Sequence, residues 1–265
     1  MIDTSKHVAL VTGASRGIGR AIALKLAEAG IDVAIGYERK REEAESVVQQ
    51  ISTLGQRAVA LRTDLRDPQQ ITRLVQSVEE ALGSVDILVS NAAIGPQRSL
   101  EEITVEEWDD VMQVNLRAAF LLAQRVIPGM RKRGWGRIIL ISSVAAFTGG
   151  VVGAHYAASK AGQMGLMHAL AGALALDGIT VNAIAPALIE SGTTLPGGEE
   201  EHRQLATRIP IGRLGQPEEV ADAGPAAHFQ RVPHLSVHCH RRRALSSIMR
   251  SFDGETISVV VIFLA

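Results

Sequence analysis

The chain carries a single cysteine, Cys239, in 265 residues. That excludes an internal disulfide and suits a reducing cytoplasm. Charge of one sign is also missing, since 27 Lys and Arg stand against 28 Asp and Glu for a net charge of −1. No overall field draws nucleic acid or an anionic membrane, so partners have to be read from local features. Long apolar runs are absent too. The longest, Val259 to Ala265, is far short of the roughly 20 residues of a membrane helix. Met1-Ile2-Asp3-Thr4 leads almost at once into a strand pattern, too early for a basic and apolar signal segment. No internal repeat or long low-complexity linker interrupts the chain. A chain of this length buries roughly three quarters of its unfolded surface, enough for one domain without metal or disulfide. These absences lead us to expect a cytoplasmic protein with neither nucleic-acid nor membrane partners.

What is present begins with Val8 to Arg20, V-A-L-V-T-G-A-S-R-G-I-G-R. Val8 to Val11 is a short β-branched and apolar run, which reads as a buried parallel strand. Gly13, Gly17 and Gly19 follow. Glycine turns the chain tightly, lets backbone approach a pyrophosphate and lets a helix pack close to its strand. The helix from about Arg20 to Ala29 then points its positive end at that turn. Taken alone, such glycines fit an ordinary strand-to-helix loop equally well.

The same beat repeats along the chain. Strands are expected at Val33 to Gly36, Ala58 to Leu61, Val85 to Val89, Ile138 to Ile141 and Val181 to Ile184. Helices are expected over Arg39 to Leu54, from Asp67-Pro68 to Gly83, over Thr104 to Arg133 and over Tyr156 to Asp177. Asp67 offers an N-cap and Pro68 a first helical position, while Pro128 is expected to bend or break the end of its helix. Alternating strands and helices imply an α/β doubly wound parallel sheet of the Rossmann type. Ligands of such sheets lie beyond the strands' carboxyl ends, where Gly13, Asn91, Ser143 and Pro186 would gather.

Tyr156-Ala157-Ala158-Ser159-Lys160 places a phenol and an ammonium about one helical turn apart on one face. A neighbouring cation favours the phenolate, which makes a usable acid or base. By spacing alone such a pair is more often plain helix surface, and Ser143 more often a strand-end hydroxyl.

These residues together resemble the short-chain dehydrogenase/reductase family, over about residues 5 to 222. The motifs agree in order and spacing: Thr12-Gly13-Ala14-Ser15-Arg16-Gly17-Ile18-Gly19, Asp64-Leu65, Asn91-Ala92-Ala93, Asn115, Ser143, Tyr156 with Lys160, and Asn182 followed by Pro186. The resemblance implies hydride transfer between a nicotinamide and a carbonyl or alcohol carbon. Tyr156 would exchange the proton, Lys160 would lower its pKa and hold the nicotinamide ribose, Ser143 would bind the reacting oxygen and Asn115 would keep a relay water. For the cofactor it implies Gly13, Ser15, Arg16, Gly17, Ile18 and Gly19 at the phosphates, Asp64 and Leu65 at the adenine, and Asn91 and Ala92 beneath the riboses. Pro186, Ile189 and Ser191 would meet the carboxamide. Two departures add methyl groups near the cofactor: Ser90-Asn91-Ala92-Ala93 replaces the frequent Asn-Asn-Ala-Gly, and Ala187 replaces the usual glycine.

Members that use NAD usually place an aspartate where this chain has Tyr37. Arg16 and Arg39 offer planar forks for a 2′-phosphate instead, so NADP is expected over NAD. Glu38 argues the other way, because its carboxylate repels a phosphate. The nearest resemblance is to 3-oxoacyl-acyl-carrier-protein reductases, through Thr12 to Arg20 and Ile209 to Glu219. A carbonyl substrate is expected, one candidate being a chain on an acyl carrier protein docked by Arg131-Lys132-Arg133, although cations at a helix C-terminus also suit the dipole. Sugar, steroid and xenobiotic carbonyls, or a non-catalytic nucleotide-binding scaffold or sensor, stay open as alternatives. The family resemblance further implies a homo-oligomer, a dimer or tetramer through the helices at about Thr104 to Met130 and Tyr156 to Asp177.

The resemblance stops after Asp222. The chain thus divides into a dinucleotide-binding catalytic domain, 1–222, and an atypical C-terminal segment, 223–265. The segment is expected to pack poorly and to weaken both the oligomer and the presumed lid at Leu188 to Arg208. His234, His238, Cys239 and His240 lack a second spaced cluster, so no metal is expected. Glu255 to Val259 keeps a hint of a last strand.

Overall fold

The computed structural model describes residues 7–190 and 213–223, and the backbone of 259–260. Ser191, most of the expected lid and the histidine-rich tail lie outside the described residues. Among the described residues seven strands form one parallel sheet in the order β3-β2-β1-β4-β5-β6-β7. They are β1 Val8–Thr12, β2 Asp32–Tyr37, β3 Ala58–Arg62, β4 Ile87–Ser90, β5 Gly136–Ile141, β6 Ile179–Ile184 and β7 Val259–Val260. The chain builds outward from β1 through β2 to β3, then crosses back to lay β4 on the other side of β1, with Ala9 opposite Ile87. The exits of β1 and β4 therefore diverge, and a crevice opens between them at the sheet's carboxyl edge.

Alternation along each strand divides the core into two layers. In β1, Leu10 faces the layer that holds Ile71, Leu122 and Met167. Ala9 and Val11 face the layer of Ile22, Leu26, Val47 and Ile51. The first layer is covered by α3 Pro68–Ala81, α5 Ala118–Arg133 and α7 Ala154–Leu174, the second by α1 Gly17–Glu28 and α2 Arg41–Thr53. Strands covered on both faces read as continuous apolar runs, which is why β1 and β4 were so visible in the sequence. Helix α8, Pro217–Ala223, joins the second layer through Val220 and Ala221.

Two expectations need correction. The helix after the glycine turn starts at Gly17 instead of Arg20. The stretch expected as one helix over 104–133 is three pieces: α4 Val105–Met112, a π-helical turn Gln113–Arg117, and α5. Pro128 lies inside α5, which continues to Arg133 and closes on Gly134 in the left-handed region at φ 62°. The cap at Asp67 is as expected, its side chain accepting the Gln69 N–H at 2.8 Å with Pro68 following. The residues between Ser143 and Tyr156 also hold a short helix, α6 Ala145–Thr148.

Leu10 is fully buried in the central strand, so Leu10→Ala removes packing where neighbours on both sides are fixed. The expected loss is about 2–5 kcal/mol of unfolding free energy in a urea titration. A loss below about 1 kcal/mol would mean that this site collapses around the gap.

Candidate active site

A cavity of about 570 Å³ opens in the crevice, within the usual size of ligand sites. Its walls come from the exits of β1, β2, β4, β5 and β6. Thr12 joins the exits of β1 and β4. Its hydroxyl accepts the N–H groups of Asn91 and Ala92, each at 3.1 Å, and the Asn91 amide donates to the carbonyls of Thr12 at 2.9 Å and Gly13 at 3.1 Å. The approach is too close for side chains. A Cβ on Gly19 would come within 2.5 Å of the Gly13 carbonyl, and one on Gly13 within 2.8 Å of the Ala92 backbone, with Gly13 at φ +64°.

The N-terminus of α1 opens onto this cavity at Ser15, Arg16, Gly17 and Ile18. No side chain caps it and its first turn has no acidic residue. Its leading N–H groups are thus donors without a side-chain partner, at the positive end of a dipole. This donor set fits the pyrophosphate of a dinucleotide.

At the opposite wall α7 carries Tyr156 and Lys160. Lys160 is buried, and its Nζ donates to the Ile141 carbonyl at 2.6 Å and lies 5.6 Å from the centre of the Tyr156 ring. The Ser142 hydroxyl donates to the Lys160 carbonyl at 2.9 Å, which ties the helix to the end of β5. Burial pulls the Lys160 amine down from its ordinary 10.5 to about 7. Burial likewise raises the Tyr156 phenol, against a lowering by a hydrogen bond with Ser143. In the protein as it stands burial outweighs the lowering expected from Lys160, because desolvation disfavours both charged forms. Tyr156 holds its proton, which suits it to give one away. Gly95 packs on its ring so tightly that a Cβ there would lie 2.6 Å from Cδ2.

The other residues singled out in the sequence distribute as follows. Arg39, Leu65, Pro186 and Ile189 line the cavity. Gly19 lies behind the turn. The Asp64 carboxylate is engaged by Arg66, accepting its backbone N–H at 2.9 Å and its guanidinium at 3.1 Å. Burial alone would raise that carboxyl, but these bonds hold it below its ordinary value. Asn115 is fully buried in the π-helical turn. Its Oδ1 accepts the Ile94 N–H at 2.8 Å, and its Nδ2 donates to the Ile94 carbonyl at 2.8 Å and to Ser159 Oγ at 3.0 Å.

Residues that sequence reasoning missed are the supports. Ser159 donates to the Tyr156 carbonyl at 2.7 Å, and Gln163 donates to the Asn115 carbonyl at 2.6 Å. Both are polar positions on the buried side of α7, a signal visible only once that side is known. Arg66 also lines the cavity. Among the described residues no cluster of His, Cys, Asp and Glu is placed to hold a metal, and no helix is long and apolar enough to cross a membrane.

The model of the short chain dehydrogenase family matches residues 7–202. The chain belongs to the short chain dehydrogenase family. As a member it is an NAD(P)-dependent oxidoreductase. It is 42% identical over 214 residues to the 3-oxoacyl-acyl-carrier-protein reductase FabG of Staphylococcus aureus, covering 81% of this chain and 87% of the relative. To the enzyme of that name from Aquifex aeolicus it is 40% identical over 222 residues, covering 83% and 89%. Among solved structures, a short chain dehydrogenase from Burkholderia cenocepacia in complex with NADP superposes with a TM-score of 0.76 at 39% identity, covering 83% of this chain and 89% of that one. A variant of actinorhodin polyketide ketoreductase with NADPH gives a TM-score of 0.78 at 36% identity, covering 84% and 90%.

The depressed Lys160 value carries a stability consequence. Between about pH 7 and 10.5 the unfolded chain holds a proton on this amine that the folded protein releases. Stability contributed by this group therefore rises with pH across that window. In urea titrations at pH 7 and pH 9, the wild type should gain more stability than Lys160→Met. Equal gains for the two proteins would show that Lys160 titrates normally.

Proposed function

We propose that the protein is an NADPH-dependent reductase of a keto group on an acyl thioester, a 3-oxoacyl chain carried by an acyl carrier protein. The observation that carries the reductive direction is the half-buried Tyr156 beside Ser143 on the cavity wall, where burial raises the phenol and so favours its protonated form. When bound, the cofactor supplies the hydride to the carbonyl carbon. The chain does the rest. Ser143 and Tyr156 hold the carbonyl oxygen, and Tyr156 gives it the proton as negative charge develops there. Lys160, beside the ring and poised near neutrality, passes a proton back toward the phenol. Asn115 holds the relay in register through Ile94 and Ser159, and its carbonyl, with one lone pair on Gln163, keeps the second for a relay water.

Ser15, Arg16, Gly17 and Ile18 bind the phosphates in this reading. Arg16 and Arg39 meet the 2′-phosphate, Asn91 and Ala92 lie beneath the riboses, and Pro186, Ile189 and Ser191 meet the carboxamide. The NADP and NADPH named with the two solved relatives support this choice of cofactor, and the names of the curated relatives support the thioester. Arg131-Lys132-Arg133 gives the carrier-protein part less support. Arg131 is paired with Asp177 at 2.7 Å and Arg133 with Asp86 at 2.8 Å, so two of its three cations have partners within the chain. A cytoplasmic setting goes with this reading and is supported by the lone cysteine.

Self-association belongs to the same proposal. Trp108 and Phe120 on α4 and α5 are 37% and 44% exposed, and Phe120, Ile127, Pro128 and Leu170 line an apolar groove between α5 and α7. A second copy that covers this face would bury the aromatic anchors. At micromolar concentration light scattering should give a dimer or tetramer, and Phe120→Asp should weaken the association at least about tenfold. A monomeric wild type would count against it.

The central test is Tyr156→Phe. With NADPH and a 3-oxoacyl thioester, turnover should fall about 10²–10⁴-fold, while the dissociation constant for NADPH changes by less than about threefold. Near-wild-type turnover would remove Tyr156 from the proton path. Wild-type activity on sugar or steroid ketones but not on thioesters would move the substrate to another class.

A further inference from the structure

At the adenosine end of the cavity Glu38 follows directly on β2. Left to itself, a carboxylate there repels a 2′-phosphate and offers hydrogen bonds to bare ribose hydroxyls. Glu38 is not left to itself. Its Oε1 lies 3.3 Å from Arg66 Nη1 and 3.5 Å from Arg39 Nε. The two arginines differ in how they are held. Arg39 is 78% exposed and its pairing with Glu38 is long. Arg66 is 27% exposed and is gripped by a second and a third carboxylate, Asp64 at 3.1 Å and Asp110 through both Nε and Nη2. These contacts, Asp110 first, raise its pKa above the ordinary arginine value, so its charge is permanent.

We propose that Arg66 determines the preference for the 2′-phosphorylated cofactor by keeping the Glu38 carboxylate hydrogen-bonded to a fixed guanidinium. Arg39 is then free to leave Glu38 for the phosphate without exposing a bare carboxylate beside it. Arg66 acts through Glu38, as a positioning residue, and the inference rests on the NADPH reading above. It also accounts for a sequence that puts a glutamate where a phosphate has to be accepted.

The test is calorimetric binding of NADPH and NADH to wild type, Arg66→Met, Glu38→Gln and the double variant, with thermal melting to confirm folding. Arg66→Met should weaken NADPH about tenfold and leave NADH within about twofold, the size expected for one uncompensated charge a few ångströms away in a partly wet site. Adding Glu38→Gln to Arg66→Met should restore the NADPH to NADH ratio to within about threefold of wild type. Glu38→Gln alone should change the ratio by less than about threefold. If Arg66→Met does not fold, Arg66→Lys carries the test, with an expected loss of about threefold. A wild type that prefers NADPH while the Arg66 variants keep its ratio overturns this inference and leaves the cofactor reading intact. Failure of Glu38→Gln to restore the ratio overturns it as well. Equal binding of the two cofactors by wild type overturns the cofactor reading and this inference together.

Discussion

Everything at the site depends on joining the two strand exits that diverge at the crossing point of the sheet. Thr12 and Asn91 make that join with hydrogen bonds between a hydroxyl, an amide and backbone groups. Apolar packing would have filled the crevice. The polar join leaves the space open and still satisfies each group, which buried backbone requires. The glycines around it are then constrained by distance: the loops approach so closely that a methyl group has nowhere to go.

A second polar frame supports the opposite wall. Asn115 holds the loop after β4 at Ile94, Ser159 links Asn115 to the Tyr156 carbonyl, and Gln163 reaches the Asn115 carbonyl. The π-helical turn at Gln113–Arg117 sits at the centre of this frame, as such turns often sit at functional sites. The phenol is thereby fixed by its backbone and by the close approach of Gly95, and the ammonium by the end of β5. Rigid placement of this kind limits the reorganisation that a charge-developing reaction has to meet.

The strands and the glycine turn were legible because burial on both faces forces uninterrupted apolar runs, and because tight approach forces glycine. The helical stretch over 104–133 was legible as helix and illegible in detail. A π-turn depends on which carbonyl a buried side chain takes, and the partner here, Gln163, lies 48 residues further on. Tyr156, Lys160 and Ser143 are legible from the family pattern and come together in the cavity wall, while the effect of burial on them is not. Spacing shows that a cation neighbours the phenol. It does not show that both are desolvated, and desolvation decides the direction of the shift. Arg66 escaped notice because its meaning lies in Glu38 and Asp110, one on another strand exit and one on α4.

The shortest strand has a consequence out of proportion to its length. Val259 and Val260 pair with Ala183 and Ile184 of β6, and β6 is buried over almost its whole length. Without those two residues β6 becomes the margin of the sheet, an apolar strand with unpaired amides and carbonyls. Such a margin is a template for another chain's strand. Among the described residues the two-residue β7 covers that part of the edge while offering almost no template itself, which lowers the tendency of the edge to recruit another chain.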